Sequence, residues 1–309
     1  MAILIIAPDR NTDQLKTYLQ AYLPEVIVYN DPAKAPAEQV EMAVLWKQPP
    51  GILRRFPKLK AVHSLGAGVD HLISDPSIPK HLPIARIVDE ELTIGMRRYV
   101  LMAVLNIHKN LLFHLQQQQK AQWSGLNQAE TPLRIGVMGL GALGEAVAKD
   151  LCQLQFPVAG FSNSPKKLSG IDTFSAEKGE LSAFLKGINT LVCLLPLTSA
   201  TKDILKRELF AQLPDASYLI NVGRGAHLVE EDLLWAFESG KIRGAYLDVL
   251  RKEPLPSDHP FWTQEGLVLT PHIASVTNQE NAARQIAENY QRMQKGLLMK
   301  NQIDRQKGY

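Results

Sequence analysis

Leu133-Arg134-Ile135-Gly136-Val137-Met138-Gly139-Leu140-Gly141-Ala142-Leu143-Gly144 decides the fold. An apolar run ends in a turn with glycines at 139, 141 and 144, and a helix-compatible stretch from Ala142 to Leu154 starts inside that turn. The first glycine permits the tight turn, the second lets the backbone approach a pyrophosphate, and the third lets the helix pack closely. The unpaired N–H groups of the helix N-terminus face the anion. Such a turn is a weak signal alone. Here a strand precedes it, a helix follows, and a second strand ends near Phe161, so a dinucleotide site built on a βαβ unit is expected at Gly139, Gly141, Ala142, Leu143 and Gly144.

Working outward, short apolar runs alternate with longer amphipathic segments, the pattern of parallel strands joined by crossover helices. Candidate strands upstream are Ala2 to Ala7, Val26 to Tyr29, Met42 to Leu45, Lys60 to Ser64 and Ile84 to Val88. From the glycine turn onward they are Leu133 to Met138, Pro157 to Phe161, Ile171 to Phe174, Thr190 to Leu194, Ser217 to Val222, Gly244 to Val249 and Leu267 to Leu269. Leu101, Val104, Leu105, His108, Leu111, Leu112 and Leu115 recur at helical spacing and predict one long helix between the halves, with His108 on its face. A last helix over Asn278 to Leu298 follows a cofactor unit that already has its strands, so it returns to the first domain. The expected division is a substrate domain of residues 1–98 and 275–309 and an NAD(P)-binding domain of 99–274, with ligands at the carboxyl ends of the strands where Gly139, Arg224 and His272 converge.

The 309 residues suffice for two cores, and the 45% apolar content is that of a globular protein. A net charge of +3 with dispersed Lys and Arg argues against a nucleic-acid partner and suits a small anion. Cys152 and Cys193 lie in apolar runs without metal or redox spacing and read as buried reduced thiols. Met1 to Ala7 reaches Pro8-Asp9-Arg10 with no basic leader, so a soluble cytoplasmic protein with no membrane partner is expected.

Three side chains supply chemistry behind the turn. Arg224, in Asn221-Val-Gly-Arg-Gly225, follows an apolar strand, and its planar guanidinium can pair with a carboxylate while polarising the adjacent carbonyl. His272, in Thr270-Pro-His-Ile-Ala274, stands at the mouth of a strand, where a proton donor for a reacting oxygen belongs. Glu253, in Arg251-Lys-Glu-Pro-Leu255, can accept from one ring nitrogen and orient the other. The remaining histidines, His63, His71, His81, His114, His227 and His259, read as structural. Past the glycines, where an acidic residue usually holds the ribose hydroxyls of NAD, stand Ser162-Asn163-Ser164-Pro165-Lys166-Lys167. No carboxylate there repels a 2′-phosphate, which favours NADP and leaves NAD possible. Leu65-Gly66-Ala67-Gly68-Val69-Asp70 closes a strand with a turn whose N–H groups can receive the other carboxylate oxygen, or that serves only as a helix start.

With these residues in view, the chain resembles the D-isomer-specific 2-hydroxyacid dehydrogenase family over essentially its full length. The motifs are Leu65 to Asp70, the glycine turn, Leu195-Pro-Leu-Thr198, Asn221 to Gly225, Leu247-Asp-Val249, Glu253-Pro-Leu-Pro256 and Pro271-His272. Trp46 and the ending Asp304-Arg-Gln-Lys-Gly-Tyr309 suggest its glyoxylate/hydroxypyruvate reductase A branch. The resemblance implies two doubly wound parallel-sheet α/β domains, a Rossmann cofactor domain inserted into a flavodoxin-like substrate domain. It implies that Arg224 binds a small 2-oxo acid, that His272 donates the proton and that Glu253 tunes it. Hydride then passes from the nicotinamide to the carbonyl carbon, yielding glycolate or D-glycerate. Asp248 would face the nicotinamide carboxamide with Met96 nearby, Leu195, Pro196 and Val222 would line the cofactor, and Trp46, Ala67 and Gly68 the substrate. A homodimer packed through the cofactor domain is also implied. The cofactor loop departs from the branch at Asn163, where the family has arginine. A reductase of bulkier, phenylpyruvate-type acids and a dinucleotide-sensing binding protein are the alternatives.

Overall fold

A computed structural model describes residues 1–123 and 132–305. The last four residues of the C-terminal motif, 306–309, lie outside the described residues. The chain divides into two compact units, Met1–Leu92 with Val276–Tyr309, and Thr93–Ser275. The first division thus falls at 92/93, a few residues before the expected 98/99.

The first unit carries β1 (Ala2–Ile6), α1 (Asp13–Tyr22), β2 (Ile27–Tyr29), β3 (Val40–Leu45), β4 (Ala61–Ser64), α2 (Asp70–Ile73) and β5 (Ile84–Ala85). Its strands are parallel in the order β2-β1-β3-β4-β5, the flavodoxin-like arrangement. All of β1 is buried because both faces are covered: Ile3 and Ile5 pack with Leu15 and Leu19 of α1, and Leu4 and Ile6 with Phe56, Val69 and Leu72. A parallel strand covered on both sides reads as the continuous apolar run seen at Ala2 to Ala7. The expected strand to Val88 stops at Ala85, after which the Arg86 and Ile87 N–H groups donate to Asn301 and Gly66 carbonyls.

The second unit follows with α3 (Glu90–His108), α4 (Leu111–Gln119), β6 (Ile135–Met138), α5 (Ala142–Gln153), β7 (Val158–Ser162), β8 (Asp172–Ser175), α6 (Leu181–Lys186), β9 (Thr190–Cys193), α7 (Arg207–Phe210), β10 (Ser217–Asn221), α8 (Glu230–Glu238), β11 (Ile242–Leu247) and β12 (Leu267–Leu269). These seven strands form one parallel sheet, β12-β11-β10-β9-β6-β7-β8. Relative to its first strand, β6, this is the Rossmann order extended by one strand. The chain then returns to the first sheet as α9 (Gln279–Gln294), whose Ala282, Ala283 and Ile286 join the Leu15 and Leu19 core. Asn278 caps it by accepting from the Glu280 and Asn281 N–H groups.

The single long helix is corrected. Asn110 takes a left-handed φ of 51° and splits it into α3 and α4. The core face of α3 is Met96, Val100, Ala103, Val104 and Ile107, whereas Leu105, Leu111 and Leu115 are exposed, as is Met102. Two apolar stripes share the helix, and periodicity cannot say which one meets the sheet. Among the described residues no helix is long and apolar enough to cross a membrane.

Candidate active site

Each glycine of the turn is explained by what surrounds it. Gly139 has φ 100°, and a Cβ there would lie 2.6 Å from the Leu194 carbonyl oxygen. A Cβ on Gly144 would overlap the Gly139 carbonyl, which makes the tight helix–strand packing possible. A Cβ on Gly141, the N-cap of α5, would meet nothing within 4 Å, so the N–H groups of Ala142 and Leu143 open onto space that an anion can enter. Lys166 reaches back across the turn and donates to the Leu140 carbonyl, placing a cation over the same backbone. Its neighbours in that loop differ in use: Ser162 is buried and donates to Ser164 O at 2.8 Å, Asn163 lies 3.4 Å from Glu177 Oε1, and Ser164 and Lys167 are exposed. This cradle fits a dinucleotide phosphate.

On the far side of the same sheet, the loop after β12 is fastened to a single buried carboxylate. Asp248 Oδ1 accepts from Thr270 Oγ1 at 2.6 Å and from the Ile273 N–H at 2.8 Å, and Oδ2 accepts from the Ala274 N–H at 2.8 Å. The Asp248 carbonyl takes the His272 N–H at 2.9 Å. Together these bonds hold His272 at a left-handed φ of 56°, an uncommon conformation for a residue with a Cβ. Tyr99 of α3 shares the network, its hydroxyl 2.6 Å from Thr270 Oγ1. Burial pushes that phenol up to about 12, with the Asp248 charge assisting, so it stays neutral. Asp248, expected at the nicotinamide, is therefore also the strut of the histidine loop.

The pairing expected from sequence is present. His272 Nδ1 lies 3.0 Å from Glu253 Oε2, both side chains being largely but not wholly buried. The other carboxylate oxygen accepts from the Leu250 N–H at 3.1 Å, which fixes the plane of the group. With Nδ1–H committed to the carboxylate, the ring's second nitrogen is an acceptor when neutral and a donor when protonated.

Arg224 leaves the end of β10 through a turn stiffened by Asn221, whose Oδ1 accepts from the Gly223 N–H at 3.2 Å and whose Nδ2 donates to Arg224 O at 3.2 Å. The guanidinium donates to Gly223 O at 2.8 Å. Gly225 lets this turn lie against the glutamate loop, since a Cβ there would sit 2.0 Å from the Leu250 carbonyl. The same two segments are also joined where Arg251 Nε donates to Leu228 O at 2.6 Å.

His227, read as a default structural residue, holds a position that sequence reasoning missed. It is wholly buried, its Nδ1 accepts the Arg224 N–H at 3.1 Å, and its Nε2–H donates to Pro196 O at 3.3 Å. Cys193 Sγ lies 3.7 Å from the same Nδ1, and burial pushes that thiol up to about 12. The ring thereby joins the arginine turn to the Leu195-Pro196 loop expected to touch cofactor. The signal was the i,i+3 spacing behind Arg224, which a short 3-10 turn over Gly225–His227 converts into a hydrogen bond. Met96 and Val222 sit in the core beside these loops. In the first unit, Trp46 is buried with its ring edge on Gly66, and Ala67 and Gly68 are half-buried.

A model of the D-isomer specific 2-hydroxyacid dehydrogenase NAD binding domain matches residues 101–274. The chain belongs to the D-isomer-specific 2-hydroxyacid dehydrogenase family. Within this family of NAD(P)-dependent enzymes it groups with the glyoxylate/hydroxypyruvate reductase A branch. The Yersinia enterocolitica protein of that name is 36% identical across the whole of both chains. A structure of the NADPH-dependent glyoxylate/hydroxypyruvate reductase of Sinorhizobium meliloti, in complex with NADP and sulfate, superposes with a TM-score of 0.92 at 33% identity, covering 100% of each chain. A family member from Xanthobacter autotrophicus Py2, in complex with NADPH and MES, gives 0.89 at 36% identity over 100% of this chain and 99% of that one.

Proposed function

We propose that the protein is an NADPH-preferring reductase of small 2-oxo acids, converting glyoxylate to glycolate and hydroxypyruvate to D-glycerate. The observation that carries the reading is the 3.0 Å bond between His272 and Glu253, on a loop that Asp248 holds rigid. A carboxylate that takes Nδ1–H directs Nε2 to substrate, where a protonated ring delivers a proton to the carbonyl oxygen. Arg224 pairs with the substrate carboxylate and polarises the adjacent carbonyl. The Gly139–Gly144 turn would hold the pyrophosphate of a reduced dinucleotide, whose nicotinamide would supply the hydride. Asp248, Met96, Leu195, Pro196 and Val222 border its site.

The preference for NADPH is supported by the Ser162–Lys167 loop, which has hydroxyls, an amide and two lysines and no carboxylate, and by the NADP and NADPH bound in the Sinorhizobium and Xanthobacter proteins. The exposed stripe of Met102, Leu105, Leu111 and Leu115 suits a homodimer packed through the cofactor domain. Two free cysteines and a demand for NADPH suit the cytoplasm.

The test follows the near-ultraviolet absorbance of NADPH, and separately NADH, while glyoxylate and hydroxypyruvate are titrated into the purified protein. Rapid oxidation of NADPH is expected. A preference for NADH overturns the reading of the Ser162–Lys167 loop and keeps the reductase. Oxidation only with aromatic 2-oxo acids moves the assignment to a larger substrate, and none with any acid to a dinucleotide sensor.

A further inference from the structure

The Ser162–Lys167 loop holds no carboxylate of its own, yet the fold brings one to it. In a βαβ dinucleotide unit the side chain about 20 residues past the glycines, at the end of the second strand, meets the adenosine ribose. Here that residue is Asn163, directly after β7. β8 lies parallel beside β7, and the chain beyond β8 continues the same ladder. The Ala176 N–H donates to Ser162 O at 3.0 Å and the Glu177 N–H to Asn163 O at 3.1 Å. Glu177 is thereby fixed alongside Asn163, and the two side chains meet where Asn163 Nδ2 donates to Glu177 Oε1 at 3.4 Å. All of these residues belong to the second unit.

The turn that carries Glu177 is closed by its own hydrogen bonds. The Glu180 carboxylate accepts from the Ser175 N–H at 2.8 Å, the Glu180 N–H returns to Ser175 O at 3.1 Å, and the Gly179 N–H donates to Ala176 O at 2.9 Å. Gly179 completes the turn at a left-handed φ of 70°. Asn163 and Glu177 both remain exposed on this frame, and among the described residues Glu177 forms no ion pair. By contrast the Glu145 carboxylate of α5 is taken by Lys149 Nζ at 2.7 Å, and Lys166 is fastened to the Leu140 carbonyl. The pair sorts ligands by charge and by donors. With one amide N–H already given to Glu177 Oε1, the second Glu177 oxygen and Asn163 Oδ1 are both acceptors. A ribose diol presents two O–H donors to them, whereas a 2′-phosphate brings acceptors and negative charge to a carboxylate.

We propose that Glu177 is a specificity-determining residue for the cofactor. Its carboxylate opposes the 2′-phosphate and accepts from the ribose hydroxyls, so it limits the preference for NADPH and keeps NADH usable. This rests on the function proposed above, in which the Ser162–Lys167 loop favours NADPH. Glu177 works against that loop from the neighbouring strand end. The reaction itself is unchanged, because the carboxylate acts on binding alone.

The test titrates NADPH and NADH separately into the purified protein with no oxo acid present, following the fluorescence of the bound dinucleotide at low ionic strength. Glu177→Gln should tighten NADPH and leave NADH unchanged or weaker, raising the ratio of the two affinities by about tenfold, whereas Glu177→Asp keeps the charge and the wild-type ratio. Glu177→Lys, which reverses the charge, should raise the ratio further and carries the test if the glutamine variant does not fold. The gain should shrink in about 1 M salt, where the Debye length is about 3 Å and an exposed charge is screened, which a change in packing would not do. The ratio of kcat/KM for the two cofactors with glyoxylate should move in parallel. A ratio unmoved by Glu177→Gln, or a gain that persists in high salt, overturns the Glu177 assignment and leaves the reductase intact. If the affinity ratio moves as expected but no 2-oxo acid is reduced, the proposed function fails and Glu177 is upheld. If neither dinucleotide binds the wild type, both fall.

Discussion

Acidification should destabilise the first unit through His63, by an amount that the structure sets. The ring is wholly buried at the end of β4, with Nδ1–H donating to Ser64 O at 2.7 Å and Nε2 accepting from Asn289 Nδ2 at 3.1 Å. Asn289 in turn brackets Lys300, accepting its N–H at 2.7 Å and donating to its carbonyl at 3.1 Å. An acceptor at Nε2 requires a neutral ring, and burial lowers its pKa from 6.5 to about 4, only partly offset by the Ser64 bond. Above pH 6.5 the ring is neutral folded or unfolded and contributes no pH dependence. As pH falls from 6.5 toward 4, the unfolded chain binds a proton that the folded one refuses, so stability is lost through that window. The gap of about 2.5 pKa units corresponds to about 3 kcal/mol in full, of which about 2 kcal/mol is gone at pH 5. That is a sizeable fraction of a domain's stability and should lower a urea midpoint by about 1 M. Urea unfolding followed by fluorescence at pH 7.5, 6 and 5 measures it. Other histidines add to the slope, so the diagnostic quantity is the difference from His63→Gln, which lacks the titration. The variant should start less stable and then lose less on acidification. Parallel pH profiles for the two proteins would refute the reasoning.

The remaining predictions concern the active site. Arg224→Gln should raise KM and lower kcat for 2-oxo acids, with kcat/KM reduced on the order of 100-fold or more by loss of a charged clamp; near-normal steady-state rates would sink its role. His272→Gln should lower kcat by about 100-fold or more with little change in NADPH binding, measured by fluorescence titration. His227→Phe removes the acceptor for the Arg224 N–H and the donor to Pro196 O, and should cost at least tenfold in kcat/KM while circular dichroism stays native. Lys166→Ala should raise the KM for NADPH more than that for NADH; equal effects on both would place the lysine at the pyrophosphate instead of the 2′-phosphate.

How much of this was legible in sequence depended on whether one residue or a geometry carried the information. The central strands were visible because parallel strands covered on both faces are unbroken apolar runs, as at Ala2–Ile6 and Ile135–Met138. The glycine turn was visible because its chemistry is local: Gly139 and Gly144 answer contacts with the neighbouring strand end and within the same βαβ unit, and Gly141 leaves the helix N-terminus open. Arg224, Glu253 and His272 could be proposed from their residue types and places after apolar runs, and the structure pairs His272 with Glu253. The sequence did not reveal what fixes them. Asp248 read as a cofactor neighbour, yet its carboxylate receives three donors from 270–274, contacts that exist only once β11 and β12 lie side by side. His227 offered no charged partner in the chain, because its partners are a backbone N–H and a carbonyl, which every residue has. The helix over 101–115 failed for the opposite reason, since its apolar periodicity was real but belonged to two stripes, and the break at Asn110 is a backbone choice that asparagine tolerates without announcing it. Candidate reactive groups are therefore read from identity, while their orientation comes from backbone donors and acceptors placed by the sheet. An attempt to move this chemistry to another scaffold would have to carry Asp248 and His227 along with Arg224, Glu253 and His272, because an imidazole without its strut keeps its identity and loses its aim.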